Sequence, residues 1–289
     1  LKKKILIISY YWPPAGGPGV QRWLKFAKYL PEFNISPVLF VPENANYPIK
    51  DNSLKSEVSK DLEIIKLPIF ELSNFFPSLK SLNSIRSGNI SKNKNQSILQ
   101  KVVFFVRGNF FIPDMKIFWK RNSVNFLKKY LSENNIETII TTGPPHSIHL
   151  IGLELKRKLN INWISDFRDP WVNLNYLNRF HLLPFVKEYH KKLRDKVINN
   201  SDAVIVTSKR LKDLYSEINS SIFQVTNGYD YNKPVIKLDK KFSISHVGSL
   251  YNERNPNFLW DIIDELSENL QGFKKDLQIN LIGNNNKKI

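Results

Sequence analysis

The chain has 289 residues, enough for about two domains of ordinary size, and its 42% hydrophobic content allows real cores. It contains no cysteine, which excludes disulfides, thiolate metal sites and cysteine nucleophiles. The 43 Lys/Arg against 26 Asp/Glu give a formal charge of +17, ten of which come from Ser73 to Lys129, where eleven cations face Asp114 alone; such a segment attracts polyanions of any kind.

The opening stretch, Ile5 to Gly19, reads ILIISYYWPPAGGPG. Its β-branched run predicts a fully buried strand at Ile5 to Ile8, and the run is too short for a signal peptide. A proline and glycine turn then leads into a helix from Gly19 to Leu30, with Val20, Trp23, Leu24, Ala27 and Leu30 on one face. A strand that delivers a glycine loop to a helix start gathers backbone N–H groups at one point, which suits a phosphate or a polar sugar. The spacing Gly17-Pro18-Gly19-Val20-Gln21-Arg22 puts arginine where a dinucleotide fingerprint has its third glycine.

Strands follow at Pro37 to Val41 and Leu62 to Leu67, so the chain opens as a parallel, doubly wound α/β sheet. Residues 73–101, rich in Ser, Asn and Lys, read as a mobile basic insertion. Val102 to Arg121 interleaves Phe104, Phe105, Phe110, Phe111, Phe118 and Trp119 with Arg107, Lys116, Lys120 and Arg121. This stretch is either a core-covering segment with a basic edge or a patch that meets an anionic membrane surface.

A helix is expected from Ser123 to Glu133 and a strand from Thr138 to Thr142, which runs into TTGPPHSIHLIG. The next helix starts at Pro145-His146-Ser147 and buries Ile148, Ile151, Leu155 and Leu159. His146 therefore stands at a strand's carboxyl end, where open α/β sheets place ligands. His146 and His149 lie three apart without a third ligand nearby in sequence, so no metal is expected. The strand Trp163 to Ser165 leads into the loop DFRDPW, Asp166 to Trp171, at the same sheet edge. A helix from Leu182 to Asn199 buries Leu182, Val186, Tyr189, Leu193 and Val197. Strands at Ala203 to Val206 and Ile222 to Val225 flank a helix capped by Thr207 or Ser208. Asn227 to Asp230 opens a hinge over 227–241. A second α/β unit follows, with a strand Phe242 to Val247, a helix Pro256 to Leu270 and a strand Leu277 to Ile282. The 48 residues of 242–289 are fewer than a doubly wound domain needs, so the second domain reads as unfinished.

SYYWPPAGGPGV, TTGPPHSIHLIG with WISDFRDPW, TNGYD and HVGSLYNERNP, in that order, resemble retaining glycosyltransferases of the GT-B fold, family 4. The resemblance implies an N-terminal Rossmann-like, acceptor-side domain over 1–226, then the hinge, then the start of a nucleotide-sugar-binding domain. It implies a nucleotide-sugar donor, a polysaccharide or lipid-linked glycan acceptor, and transfer with retention of configuration, without a metal or cofactor. Gly16, Gly17 and Gly19 would lie near the donor diphosphate and sugar, His146 beside the transferred sugar as the catalytic residue, and Arg168 and Asp169 on the acceptor side. After Gly248 the family's arginine is replaced by Ser249, while Arg254 keeps the cation of its lysine. The family's glutamate motif is missing, so the chain is expected to be C-terminally truncated and inactive alone. A cytoplasmic protein, peripheral on the membrane's inner face, is the expected setting. The alternatives are a sugar-nucleotide epimerase or hydrolase on the same scaffold and a basic nucleic-acid-binding module; no nucleic-acid recognition fold appears in the sequence.

Overall fold

The computed structural model describes residues 2–71, 98–172, 180–230, 237–248, 250 and 255–283. These fall into two compact units, the first ending at Gly228 and the second beginning at Tyr229.

The apolar run at the start of the chain forms the middle of the sheet. In β1 (Lys3–Ile8), Ile5 and Ile7 point into one buried cluster and Leu6 and Ile8 into another, which is why the run is continuous. The second strand, β2 (Ile35–Pro42), returns after α1 (Pro18–Tyr29), and β3 (Glu63–Leu67) lies outside it. The chain then continues through α2 (Ile98–Phe110), α3 (Trp119–Glu133), β4 (Thr138–Gly143), α4 (Ser147–Lys158), β5 (Asn162–Phe167), α5 (Pro184–Asn200), β6 (Ala203–Val206), α6 (Lys209–Ser216) and β7 (Ile222–Gln224). The order across the sheet is β3-β2-β1-β4-β5-β6-β7, and every pairing is parallel. Chain order reverses between β1 and β4, with Ile8 opposite Thr141. The loops after these two strands therefore share the crevice where such sheets bind ligands.

One face of the sheet is covered by α1, through Val20, Trp23, Leu24 and Ala27. On the other face Trp119, Leu127 and Leu131 of α3, Ile148 and Ile151 of α4 and Val197 of α5 pack together, and Trp119 stacks on Phe40 at 4.9 Å. The doubly wound α/β architecture expected from the strand and helix pattern is the one observed.

Several local expectations change. The helix expected at Ser123 begins at Trp119, and the aromatic stretch from Val102 to Arg121 is split between α2, a loop and the first turn of α3. Of the basic insertion, only its last residues, from Ile98 on, are described, and they are helical. Tyr189, expected on the buried face of α5, is exposed, whereas His190 is buried. The buried stripe runs Val186, His190, Val197, so an imidazole occupies the i+4 place that an apolar pattern would not assign to it.

The second unit has its own parallel pair, β8 (Phe242–Val247) with β9 (Leu277–Ile282), together with α7 (Asn257–Asn269) and the short α8 (Phe273–Asp276). Ile263 of α7 is its buried helix residue among the described residues. No described helix is long and apolar enough to cross a membrane.

Candidate functional site at the sheet's carboxyl edge

The loop after β1 is pinned before it reaches α1. Gly16 donates its amide to Ile49 O at 3.0 Å, and Asp51 donates to Pro14 O at 2.8 Å. Gly17 is the helix N-cap with φ 104°, a conformation that requires glycine. The carbonyl of Gly17 accepts from Val20 and Gln21, while the Gly17 and Gly19 amides donate no hydrogen bond among the described residues. Of the three glycines read as phosphate-facing, two keep N–H groups available at a helix start and Gly16 does not.

Arg168 lies directly against this loop. A Cβ on Gly19 would fall 1.4 Å from Arg168 Nη1, so only a glycine lets the guanidinium in. Arg168 also donates from Nη2 to Pro144 O, in the neighbouring loop, while its own amide donates to Gly143 O at 3.1 Å. The guanidinium thus bridges the loops after β1 and β4. Asp169 is exposed beside it.

His146 is the N-cap of α4 and is 5% exposed; its ring stacks on Trp171 with centroids 4.8 Å apart and planes 9° from parallel. His149, one turn on, is fully buried and stacks on Phe167 at 4.4 Å. The motif DFRDPW therefore contributes Phe167 and Trp171 as the aromatic wall for both histidines. Trp163 Nε1 donates to Thr141 Oγ1 at 2.9 Å, and Thr141 Oγ1 lies 2.9 Å from His149 Nδ1. Because the threonine's hydroxyl accepts from the tryptophan, its own proton is free to go to Nδ1. Burial above all, then His146 and Arg168, hold the His149 pKa well below its ordinary value, against an opposing effect of Asp114. Gly143 makes room for this pair, since a Cβ there would meet His149 Nε2 at 2.5 Å and His146 Nδ1 at 3.1 Å.

The amino end of α4 is already occupied by a side chain. Asp114 accepts from Ser147 N at 3.0 Å and from Ser147 Oγ at 2.8 Å. Its carboxylate satisfies the helix start that the sequence left open for a ligand.

Two networks escaped the sequence. Asp166 belongs to β5 rather than to the following loop, and it is fully buried. It pairs with Arg22 at 3.0 Å and also accepts from Trp23 Nε1 and Thr142 Oγ1, each at 2.8 Å. Arg22 reaches on to Thr226 O and Asn227 Oδ1, both at 3.1 Å. A carboxylate inside the apolar run WISDF was the available sign, although nothing in the sequence named its partner. The second network joins Glu71, 3% exposed, to the Tyr10 hydroxyl, to Lys116 Nζ at 2.7 Å and to the Asn46 amide at 3.3 Å. Burial first, then the Glu71 charge, push the Tyr10 phenol far above its usual value. These residues come from four separate loops, so no local pattern could reveal them.

In the second unit Gly248 ends β8 with φ 138° and donates its amide to Ile282 O at 2.8 Å. Gly283 packs against it so closely that a Cβ there would lie 2.1 Å from Gly248 O. Ser249 and Arg254 lie outside the described residues. Among the described residues there is no group of three or more His, Asp or Glu placed to hold a metal ion.

No protein-family model and no curated protein matches the sequence. Among solved structures, the chain is similar to the apo form of the lipopolysaccharide outer core galactosyltransferase WaaB, with a TM-score of 0.51 at 15% identity, covering 99% of this chain and 62% of that one. TarM matches with a TM-score of 0.55 at 11% identity, covering 100% of this chain and 78% of TarM. Arabidopsis thaliana UGT89C1 complexed with UDP-L-rhamnose matches with a TM-score of 0.52 at 12% identity, over 98% of this chain and 69% of that one. The chain shares their fold. It is α/β, of the GT-B type, and it spans less than two thirds of the length of the galactosyltransferase.

Proposed function

We propose that the chain belongs to a glycosyltransferase that moves a sugar from a nucleotide-sugar donor to a glycan or lipid-linked acceptor with retention of configuration. The observation that carries this reading is the meeting of Gly19, Arg168 and the Pro144 carbonyl at the sheet's switch point. It puts two amides that are unpartnered among the described residues and a fixed guanidinium at one crevice edge, alongside His146 stacked on Trp171. The fold shared with a galactosyltransferase, and with a protein solved with UDP-L-rhamnose, supports it at the level of class.

In this reading the bond between the anomeric carbon and the donor diphosphate breaks as positive charge grows on that carbon. The Gly17 and Gly19 N–H groups stabilise the negative charge that leaves, and Arg168, read from the sequence as an acceptor-side residue, is reassigned to join them because its guanidinium lies against Gly19. The acceptor oxygen attacks from the face that the leaving group vacates, and its proton passes to the departing phosphate oxygen. His146, held by Trp171, hydrogen-bonds the transferred sugar. Asp169, exposed next to Arg168, faces the acceptor. Charge stabilisation by N–H groups and a guanidinium takes the place of a divalent metal, so turnover is expected to survive chelation.

Product analysis tests the reading. The longest natural form of the polypeptide is incubated with a panel of nucleotide sugars and acceptors in EDTA, and the anomeric configuration of the product is read by NMR. A glycosylated acceptor of retained configuration is the expected result. Epimerised or free sugar without acceptor glycosylation would instead favour an epimerase or hydrolase.

A further inference from the structure

The helix α2 has two unlike sides. On one, Phe104 meets Phe180 at 5.9 Å, and the space around Gly108 is filled by Phe180 and Leu182. Asn109 ties the helix to the same segment by accepting from Leu183 N at 2.8 Å. On the other side Ile98, Val102, Val106 and Phe110 recur every four residues, and all are exposed, Ile98 at 81% and Phe110 at 73%. Each step of four turns the helix by about 40° beyond a full circle, so the row forms one slowly winding stripe. Phe111 continues it to the half-exposed Phe118 at 5.9 Å, and Phe118 in turn meets the exposed Phe70 at 5.9 Å. Monomeric proteins rarely leave so long an apolar row in water.

The charges around the stripe have one sign. Lys101 lies on one flank of it, Arg107 on the other lays its guanidinium over Phe180 at 5.4 Å, and Arg121 is exposed just beyond Phe118. From Ile98 to Pro113 the chain has Lys101 and Arg107 and no acidic residue. The two carboxylates that bracket this stretch in sequence are turned inward: Asp114 caps Ser147 and Glu71 is held by Lys116 and Tyr10. A water-facing apolar stripe whose flanking charges along the described chain are cations complements a surface with an apolar interior under a negative skin. At 13 residues α2 is too short to span a bilayer, but long enough to lie in its headgroup region.

We propose that α2, with Phe118 and Phe70, is a docking face for an anionic phospholipid bilayer, into which Val102, Val106 and Phe110 insert while Lys101 and Arg121 meet lipid phosphates. The proposal does not depend on sugar transfer and would stand if that activity failed.

Vesicle flotation of the 289-residue chain tests it, with vesicles of phosphatidylcholine alone and of phosphatidylcholine with about one third phosphatidylglycerol. The expected result is at least about tenfold stronger partition onto the anionic vesicles, as several cations near such a surface should give. Val102→Asp with Phe110→Asp should abolish it. Lys101→Glu with Arg121→Glu should reduce it to the level of neutral vesicles. All these positions are exposed, and an unchanged thermal midpoint confirms that the variants fold. Equal partition onto both vesicles, or none, would overturn the proposal. So would either double variant binding like the parent, or self-association of the parent that the aspartate pair disperses without any vesicle binding.

Discussion

Arg22 and Asp166, 144 residues apart in sequence, form a 3.0 Å ion pair with both side chains almost wholly buried. The pair ties the helix that follows the glycine loop to the strand that carries DFRDPW. Through Thr226 and Asn227 it also holds the chain where the first unit ends. The arginine at the place of a fingerprint's third glycine is thus a structural clamp for the site. Arg22→Ala should destabilise the first unit by about 3–5 kcal/mol, because Asp166 would be left as an uncompensated buried charge. Urea unfolding followed by tryptophan fluorescence measures this; a loss below about 1 kcal/mol would mean that the pair does not act as a clamp.

Gly19→Ala separates binding from stability. The new methyl displaces the Arg168 guanidinium, yet Gly19 lies in the first turn of α1 and needs no special backbone conformation. Affinity for a nucleoside diphosphate should fall about tenfold or more, as loss of one charge-assisted hydrogen bond implies, with unfolding shifted by less than about 1 kcal/mol. Isothermal titration alongside denaturation reads both, and unchanged affinity would remove Arg168 from the anion site.

Burial depresses the pKa of both His149 and His190 below the ordinary 6.5. Each imidazole is therefore neutral in the folded chain at pH values where it is protonated in the unfolded one. Their contribution to stability is fully present above pH 6.5 and is lost as pH falls below it, by about 1.4 kcal/mol per unit for each group until its folded pKa is reached. Denaturation midpoints between neutral pH and about pH 5 should fall before most carboxylates titrate. His149→Gln should flatten the slope, and a stability that is level across that range would contradict the assignment.

Asp114→Ala removes the carboxylate at the start of α4. The cost should be about 1–2 kcal/mol, with Asp114→Asn recovering much of it, as amides also cap helices. Amide hydrogen exchange at Ser147 and Ile148 should accelerate in the alanine variant, and unchanged protection would show that the cap is dispensable.

Much of the fold was legible because a parallel sheet buries both faces and so writes its strands as uninterrupted apolar runs. Ile5 to Ile8, Pro37 to Val41 and Ala203 to Val206 all fell within observed strands. The helix faces were legible where they met the sheet directly, as at Trp23 and Leu24, but not at Tyr189, where the packed residue is the neighbouring His190. The glycine loop, the two histidines and Arg168 were visible as motifs because each stands at the end of a strand. The two buried ionic networks were not, because Arg22–Asp166 and Tyr10–Glu71–Lys116 are closed by tertiary folding over long sequence separations. The role of Gly19 likewise came from space rather than sequence: it is glycine because a guanidinium fills the place of its side chain.

The central claim is that His146, stacked on Trp171 at the switch point, takes part in sugar transfer. Steady-state kinetics of His146→Ala in the longest natural form of the polypeptide tests it most directly. The account predicts a fall in kcat of about 100-fold or more, measured well below the variant's unfolding transition, since loss of one preorganised hydrogen bond in such a site costs on that order. Near-normal turnover by the folded variant would contradict it.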